Sequence, residues 1–373
     1  MGIMVGLPSP SGSEKDLQLN FGKNMTVQVE MKAPHLPAEW HMQSGIQLTW
    51  PHADTDWAYM LAEVQECFIN IAREIAKREL LLIVTPEPEE VKKQIAATVN
   101  MNNVRFLECA TNDTWARDHG AITMIDTDTP SLLDFTFNGW GLKFASDLDN
   151  RITRHAVEAE VLKGHYVNRL GFVLEGGSIE SDGMGTLLTT SECLLSPQRN
   201  GRLNQVEIEE YLKSTFHLQK VLWLDHGYLA GDDTDSHIDT LARFCSTDTI
   251  AYVKCENKED EHYEALLAME EQLKTFRTLA GEPYRLLALP MADKIEEDGE
   301  RLPATYANFL IMNDVILYPT YNQPANDKKA GEVLQQAFPN HQIIGIDCRA
   351  LIKQHGSLHC VTMQYPLGVI KES

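Results

Sequence analysis

No stretch of this chain approaches the ~18 consecutive apolar residues that a membrane span requires, so a spanning helix is not expected. Basic residues are scarce. Lys and Arg total 32 against 54 for Asp and Glu, a net charge of −22, and such a field repels nucleic acid and anionic lipid while drawing in small cations. The seven cysteines show no paired spacing, which argues against a disulfide framework and for reduced thiols in a cytoplasm. The beginning of the chain lacks the basic start and long apolar stretch of a secretory leader. Residues 1–30 read as a flexible arm, ahead of a single domain over 31–373. Glycine and proline are dispersed, so no low-complexity linker divides that domain.

What is present alternates. Trp57, Met60, Leu61, Val64, Phe68, Ile71 and Ile75 mark one face of a helix over 57–79. The run Leu80-Leu81-Leu82-Ile83-Val84 then reads as a buried strand. Strands are expected at 104–109, 121–125, 132–137, 174–180, 185–190, 221–225, 238–245, 249–255, 306–312, 315–321, 343–347 and 358–364. Asp182-Gly183 and Asn313-Asp314 predict hairpins. Asn204 with Glu207 forms a capping-box start for a helix to 216, and further helices are expected over 259–279 and 327–338. Small groups of strands, each followed by a helix, fit a repeated ββαβ unit. Five copies average roughly 75 residues, a usual length for units repeated about an axis.

Cys360 follows Gly356-Ser357-Leu358-His359, where a turn leads towards the last strand. Cys67, Cys109, Cys193, Cys245, Cys255 and Cys348 lie in apolar runs and read as small buried residues. His237 and Asp239 are two apart, so an extended segment would point both side chains the same way. The acidic run Gly231-Asp232-Asp233-Thr234-Asp235 lacks the glycine and distal glutamate of a calcium-binding EF-hand. Asp113 and Asp118 bracket Trp115 and Arg117; an aromatic face beside carboxylates suits a flat cation. Glu175 precedes Gly176-Gly177 and could orient a histidine. No Gly-Lys-Ser/Thr follows the glycines, which removes a phosphate-loop reading. His355, His359 and Cys360 lack the companion ligands of a zinc site. A thiol, a histidine and several carboxylates together suit attack on a cationic carbon, and the guanidinium group is the biological candidate.

These segments resemble the agmatine deiminase and Porphyromonas-type peptidylarginine deiminase family, within the guanidino-group-modifying enzymes. The matching pieces are Asp113-x-Trp115-x-Arg117-Asp118-x-Gly120, Glu175-Gly176-Gly177, Leu188-Thr189-Thr190 with Arg199-Asn200, the run from Gly231 through His237 to Asp239, and His359-Cys360. The resemblance implies an α/β fold, a five-bladed α/β propeller of ββαβ units with a pseudo-five-fold axis. It implies Cys360 as nucleophile, His237 as general acid/base, Glu175 as its partner, Asp118 and Asp239 as a guanidinium clamp, Trp115 as the substrate-packing aromatic and Asp113 as a further binding residue. It implies no metal and no organic cofactor. Three departures stand out: Gln354-His355-Gly356-Ser357-Leu358 replaces a glycine-rich run, Ser236 stands where glycine is frequent, and His119-Gly120-Ala121 replaces an expected Gly-Pro.

The expected reaction is hydrolysis of a guanidino group to a ureido group and ammonia through a covalent cysteine thiouronium. Agmatine, with two positive charges and no carboxylate, is the expected substrate, and N-carbamoylputrescine for polyamine synthesis the product. Peptidylarginine, free arginine and amidino transfer to an amine are the alternatives; a cysteine peptidase or a non-catalytic propeller that binds a partner belongs to a different class. The expected partner is a small cationic guanidino compound, not nucleic acid or membrane, with a homo-oligomer left open.

Overall fold

The computed structural model describes residues 34–126 and 129–372; the arm expected over 1–30 lies outside them. The architecture is mixed α/β. Its first sheet contains β1 (Gln43–Thr49), β2 (Leu80–Thr85) and β3 (Val104–Glu108). The second contains β4 (Ile122–Met124), β5 (Ser131–Thr136) and β6 (His165–Val173), and the third β7 (Ile179–Ser181), β8 (Thr186–Thr190) and β9 (Lys220–Leu224). The fourth is β10 (Ala242–Ser246), β11 (Thr249–Lys254) and β12 (Arg285–Pro290). After a two-stranded excursion, β13 (Glu296–Glu297) with β14 (Glu300–Arg301), the fifth is β15 (Leu310–Ile311), β16 (Val315–Thr320) and β17 (Gln342–Asp347).

All five sheets share a three-strand order, an antiparallel pair, a helical crossover, then a third strand parallel to the middle one, and the first adds β3 parallel to β2. In the first sheet the antiparallel partner comes from the far end of the chain. There β18 (Thr362–Pro366) pairs with β1, which runs parallel to β2. The crossovers follow from sequence. Helix Leu61–Ala76 buries Val64, Phe68, Ile71 and Ile75 on one face, and β2, enclosed on both faces, is apolar from Leu80 to Val84. Helix Gln205–Phe216 starts at the expected capping box, with Asn204 Oδ1 accepting from Glu207 N at 3.1 Å and Glu207 Oε2 accepting from Asn204 N at 2.9 Å. Among the described residues no helix is long and apolar enough to cross a membrane.

Several expected strands are shorter or interrupted. The segment 174–180 is broken by a 3-10 turn, Gly176–Ser178, and only Ile179–Ser181 is strand. Residues 238–245 begin as a 3-10 turn, Ile238–Thr240, so His237 and Asp239 are not in an extended run. The segment 306–312 keeps only Leu310–Ile311 as strand. Strand β6 was not expected; its residues are largely half-exposed or exposed, and polar and apolar ones follow no clean alternation. The interruptions share a place: each lies just before the first strand of a sheet, where the backbone turns to present side chains.

Candidate active site

Those same turns supply the site. Asp118 lies in the short helix Ala116–His119 before β4, Glu175 to Gly177 before β7, and His237 with Asp239 before β10. Cys360 precedes β18. The segment before β15 contributes a residue the motifs did not flag, Asn308. Its Oδ1 accepts from His359 N at 2.8 Å and Cys360 N at 3.3 Å, and stands 3.3 Å from the sulfur. Its amide donates to Asp239 O at 3.3 Å. One residue group per sheet is the signal that could have found it.

Gly177 shows how closely three of these side chains converge. A Cβ built there would lie 2.7 Å from His237 Nδ1, 2.8 Å from Asp118 Oδ1 and 3.2 Å from Asp239 Oδ2. Only glycine leaves room for all three side chains. Cys360 Sγ is 3.9 Å from Asp239 Oδ2. Asp118 is fixed from two sides, accepting from Trp140 Nε1 at 2.9 Å and Gly177 N at 3.0 Å. Trp140 takes that position from a left-handed backbone (φ 53°, ψ 50°) in the glycine-flanked loop Gly139-Trp140-Gly141.

Trp115 is buried between Trp57 and Trp140, with ring centroids 5.8 and 6.1 Å away. Its ring lies against the Gly356 backbone, where a Cβ would come within 2.0 Å of it. Asp113 bends back to accept from Thr114 N at 2.8 Å and faces the mouth of the cleft, which is lined by Trp115, Asp118, Trp140, Asp233, His355 and Cys360 among others. Glu175 is fully buried and chelated by Arg199 Nε, at 2.9 and 3.0 Å. A Glu175 oxygen, the Cys193 sulfur and a His237 ring nitrogen lie within 4.8 Å of one another. Arg199 also binds Asp235 Oδ2 at 2.6 Å and Thr234 O at 2.8 Å, tying the acidic loop to Glu175. Within that loop Asp235 and Ser236 have positive φ (64° and 59°). Ser236 thus occupies a backbone conformation that explains a preference for glycine there.

Burial sets the electrostatics. It raises the Cys360 thiol well above its ordinary pKa, with Asp239 and Asp118 adding to the effect. It pushes His237 down to about 3, against the pull of Asp239, so the resting imidazole is neutral. Burial, then Asp239 and Glu175, raise Asp118 well above the carboxylate range. Burial works the same way on Asp239, but the hydrogen bond and charge of His359 outweigh it and the net shift is downward. Asp113 is raised to about 7 by burial and by Asp56. The site therefore has excess negative potential, a neutral base and a protonated thiol, an arrangement that a flat cation completes.

The family model for Porphyromonas-type peptidyl-arginine deiminase matches residues 35–366. The agmatine deiminase of Pseudomonas syringae is 31% identical over 357 residues, covering 89% of this chain and 95% of the relative. A Porphyromonas gingivalis structure, provisionally named an arginine deiminase, is 51% identical with a TM-score of 0.85, covering 91% of this chain and all of that one. The agmatine deiminase of C. jejuni, solved as a cysteine-to-serine variant with substrate bound, is 38% identical with a TM-score of 0.84, covering 93% of this chain and all of that one. The match extends over nearly the whole described chain and every segment that supplies the site, so this protein belongs to the Porphyromonas-type peptidyl-arginine deiminase family and is a hydrolase of guanidino C–N bonds.

Proposed function

We propose that the enzyme hydrolyses agmatine to N-carbamoylputrescine and ammonia through a covalent adduct on Cys360. The lining of the cleft carries the substrate assignment. Asp56, Asp113, Asp118 and Asp233 line it, with no Lys or Arg among the described residues that do so. Lys143, which lines the adjoining cavity, is occupied by Asp233 O at 2.5 Å and Asp235 Oδ1 at 3.0 Å. A substrate with a cation at each end is favoured there, whereas the α-carboxylate of free arginine would face carboxylates. The agmatine deiminases among the relatives support the same reading.

In this reading the incoming cation favours the ionised form of Asp118, and Asp118 and Asp239 hold the guanidinium N–H groups by charge-assisted bonds, with Trp115 against the flat cation. The bound positive charge offsets the carboxylates that resist thiolate formation, and the Cys360 proton passes to neutral His237. The thiolate forms a C–S bond to the guanidinium carbon. His237 returns the proton to one nitrogen, the C–N bond breaks, and ammonia leaves a thiouronium on Cys360. Water then gives a proton to His237 and attacks the same carbon; the C–S bond breaks, His237 returns its proton to the departing sulfur, and the new hydroxyl loses its proton to leave the ureido carbonyl. Arg199, by neutralising Glu175 behind His237, keeps that carboxylate from competing for the substrate. The five like sheets, the first completed by β18, support reading the fold as five blades about one axis, with the site upon it.

The 51% identity to the P. gingivalis chain favours arginine as the second reading. Ammonia release from agmatine, arginine, peptidylarginine and shorter alkylguanidines separates the two. We expect agmatine to give the highest kcat/KM; arginine in that place would overturn the substrate assignment.

A further inference from the structure

His359 adjoins the nucleophile in sequence, yet its side chain turns away from the cleft mouth and is buried between two carboxylates. Its Nδ1 lies 2.7 Å from Asp239 Oδ2, and its Nε2 lies 2.7 Å from Glu39 Oε2. Asp239 only accepts, so Nδ1 donates to it, while Nε2 also lies 3.0 Å from Arg243 Nη2. Around this ring three carboxylates, Glu39, Glu180 and Asp239, meet two guanidinium groups, Arg117 and Arg243.

Glu39 is an anchored group. It accepts from Ile311 N at 2.7 Å through Oε1 and from Arg243 at 2.6 Å through Oε2, while Arg243 also holds Glu180 and the Phe309 carbonyl. The line Arg243–Glu39–His359–Asp239 therefore runs from a fixed ion pair to one arm of the clamp. Asp239 Oδ2 is taken by this line, whereas Oδ1 is buried with no partner among the described residues. A carboxylate free to rotate would bring either oxygen to His359; one pinned through Oδ2 keeps Oδ1 for a ligand.

We propose that His359 is a positioning residue for the guanidinium clamp: bridged to Glu39, it fixes the rotation of the Asp239 carboxylate so that Oδ1 remains available to the substrate. This rests on the guanidino reading of the site but not on agmatine as the substrate.

Binding of the guanidinium ion and of agmatine to Cys360→Ala protein, followed through tryptophan fluorescence, tests it. Thermal midpoints measured alongside confirm folding. His359→Phe and Glu39→Gln should each weaken guanidinium binding by about tenfold or more. Combined, they should be no worse than His359→Phe alone, because both cut the same line. His359→Gln, which keeps one donor towards Asp239, should recover part of the loss, and as the milder change it serves if the Phe variant does not fold. Affinity within twofold of the parent in either folded variant, or losses that multiply, would overturn the positioning role. Parent protein that binds guanidinium but not agmatine would end the agmatine assignment and leave His359 standing. Failure to bind guanidinium at all would remove the clamp and this proposal with it.

Discussion

His237 Nδ1 and Asp118 Oδ1 lie 3.7 Å apart, too far for a hydrogen bond, with the Gly177 backbone beside them. His237 is thus not locked to Asp118, as the acid/base role proposed for it requires. Cys360→Ala and His237→Ala should each lower ammonia release by at least about a thousandfold, as loss of nucleophile or proton-transfer group does elsewhere. Circular dichroism and thermal midpoint should stay near wild type. Full activity in either variant would end the assignment.

Gly177→Ala removes no reacting group and adds one methyl where His237, Asp118 and Asp239 meet. Displacing them by even part of an ångström should cost about a hundredfold or more in kcat/KM, with the thermal midpoint far less affected. Activity within threefold of wild type would show that the three groups do not act at the distances described.

The Cys360 thiol is raised by burial and then by the Asp239 and Asp118 carboxylates. Iodoacetamide should therefore label it slowly at neutral pH, at a rate that climbs past pH 9 without a plateau near 7. Agmatine should protect it by occupancy. A neutral-pH plateau would indicate a thiolate formed before substrate arrives.

Asn308 gives one oxygen to two backbone N–H groups and faces the sulfur. Asn308→Ala leaves the buried Cys360 N–H unpaired, whereas His359 N keeps the Asn308 backbone carbonyl at 3.2 Å; the loss should be about 1–3 kcal/mol in stability, and kcat should fall more than KM rises because Cys360 loses its orientation. Chemical denaturation and steady-state kinetics read the two effects separately.

Glu79 tests the electrostatics away from the site. Burial raises it to about 7, although Oε1 accepts from Asn313 N at 2.7 Å. The folded state then binds more protons than the unfolded between the ordinary value near 4.5 and about 7, so this group's contribution to stability falls as pH rises through that window. Glu79→Gln should be more stable than wild type at pH 8, with the difference vanishing near pH 4. An equal effect at both would contradict the shift.

Much of this was legible in the residues. The capping box at Asn204 and Glu207, the turn after Asp182 and the apolar run of β2 are local signals, and each produced the expected element. Cys360, His237 and Asp118 stood out because their neighbours in sequence form recognisable turns. Asn308, Trp140 and Glu39 did not. Their importance lies in contacts made across tens to hundreds of residues, such as Glu39 with His359, and no local pattern encodes those. His237 and Asp239 are a mixed case. Proximity in one pocket was expected from an extended segment, whereas a 3-10 turn brings it about.

The central claim is that Cys360 attacks a guanidinium carbon held by Asp118 and Asp239. Rapid-quench mass spectrometry of the intact protein during turnover of agmatine tests it most directly. A transient adduct retaining the substrate's carbon chain, mapped to the peptide containing Cys360 and absent from Cys360→Ala, is the predicted result. Steady turnover with no adduct at any quench time, together with ammonia release by Cys360→Ala, would contradict it.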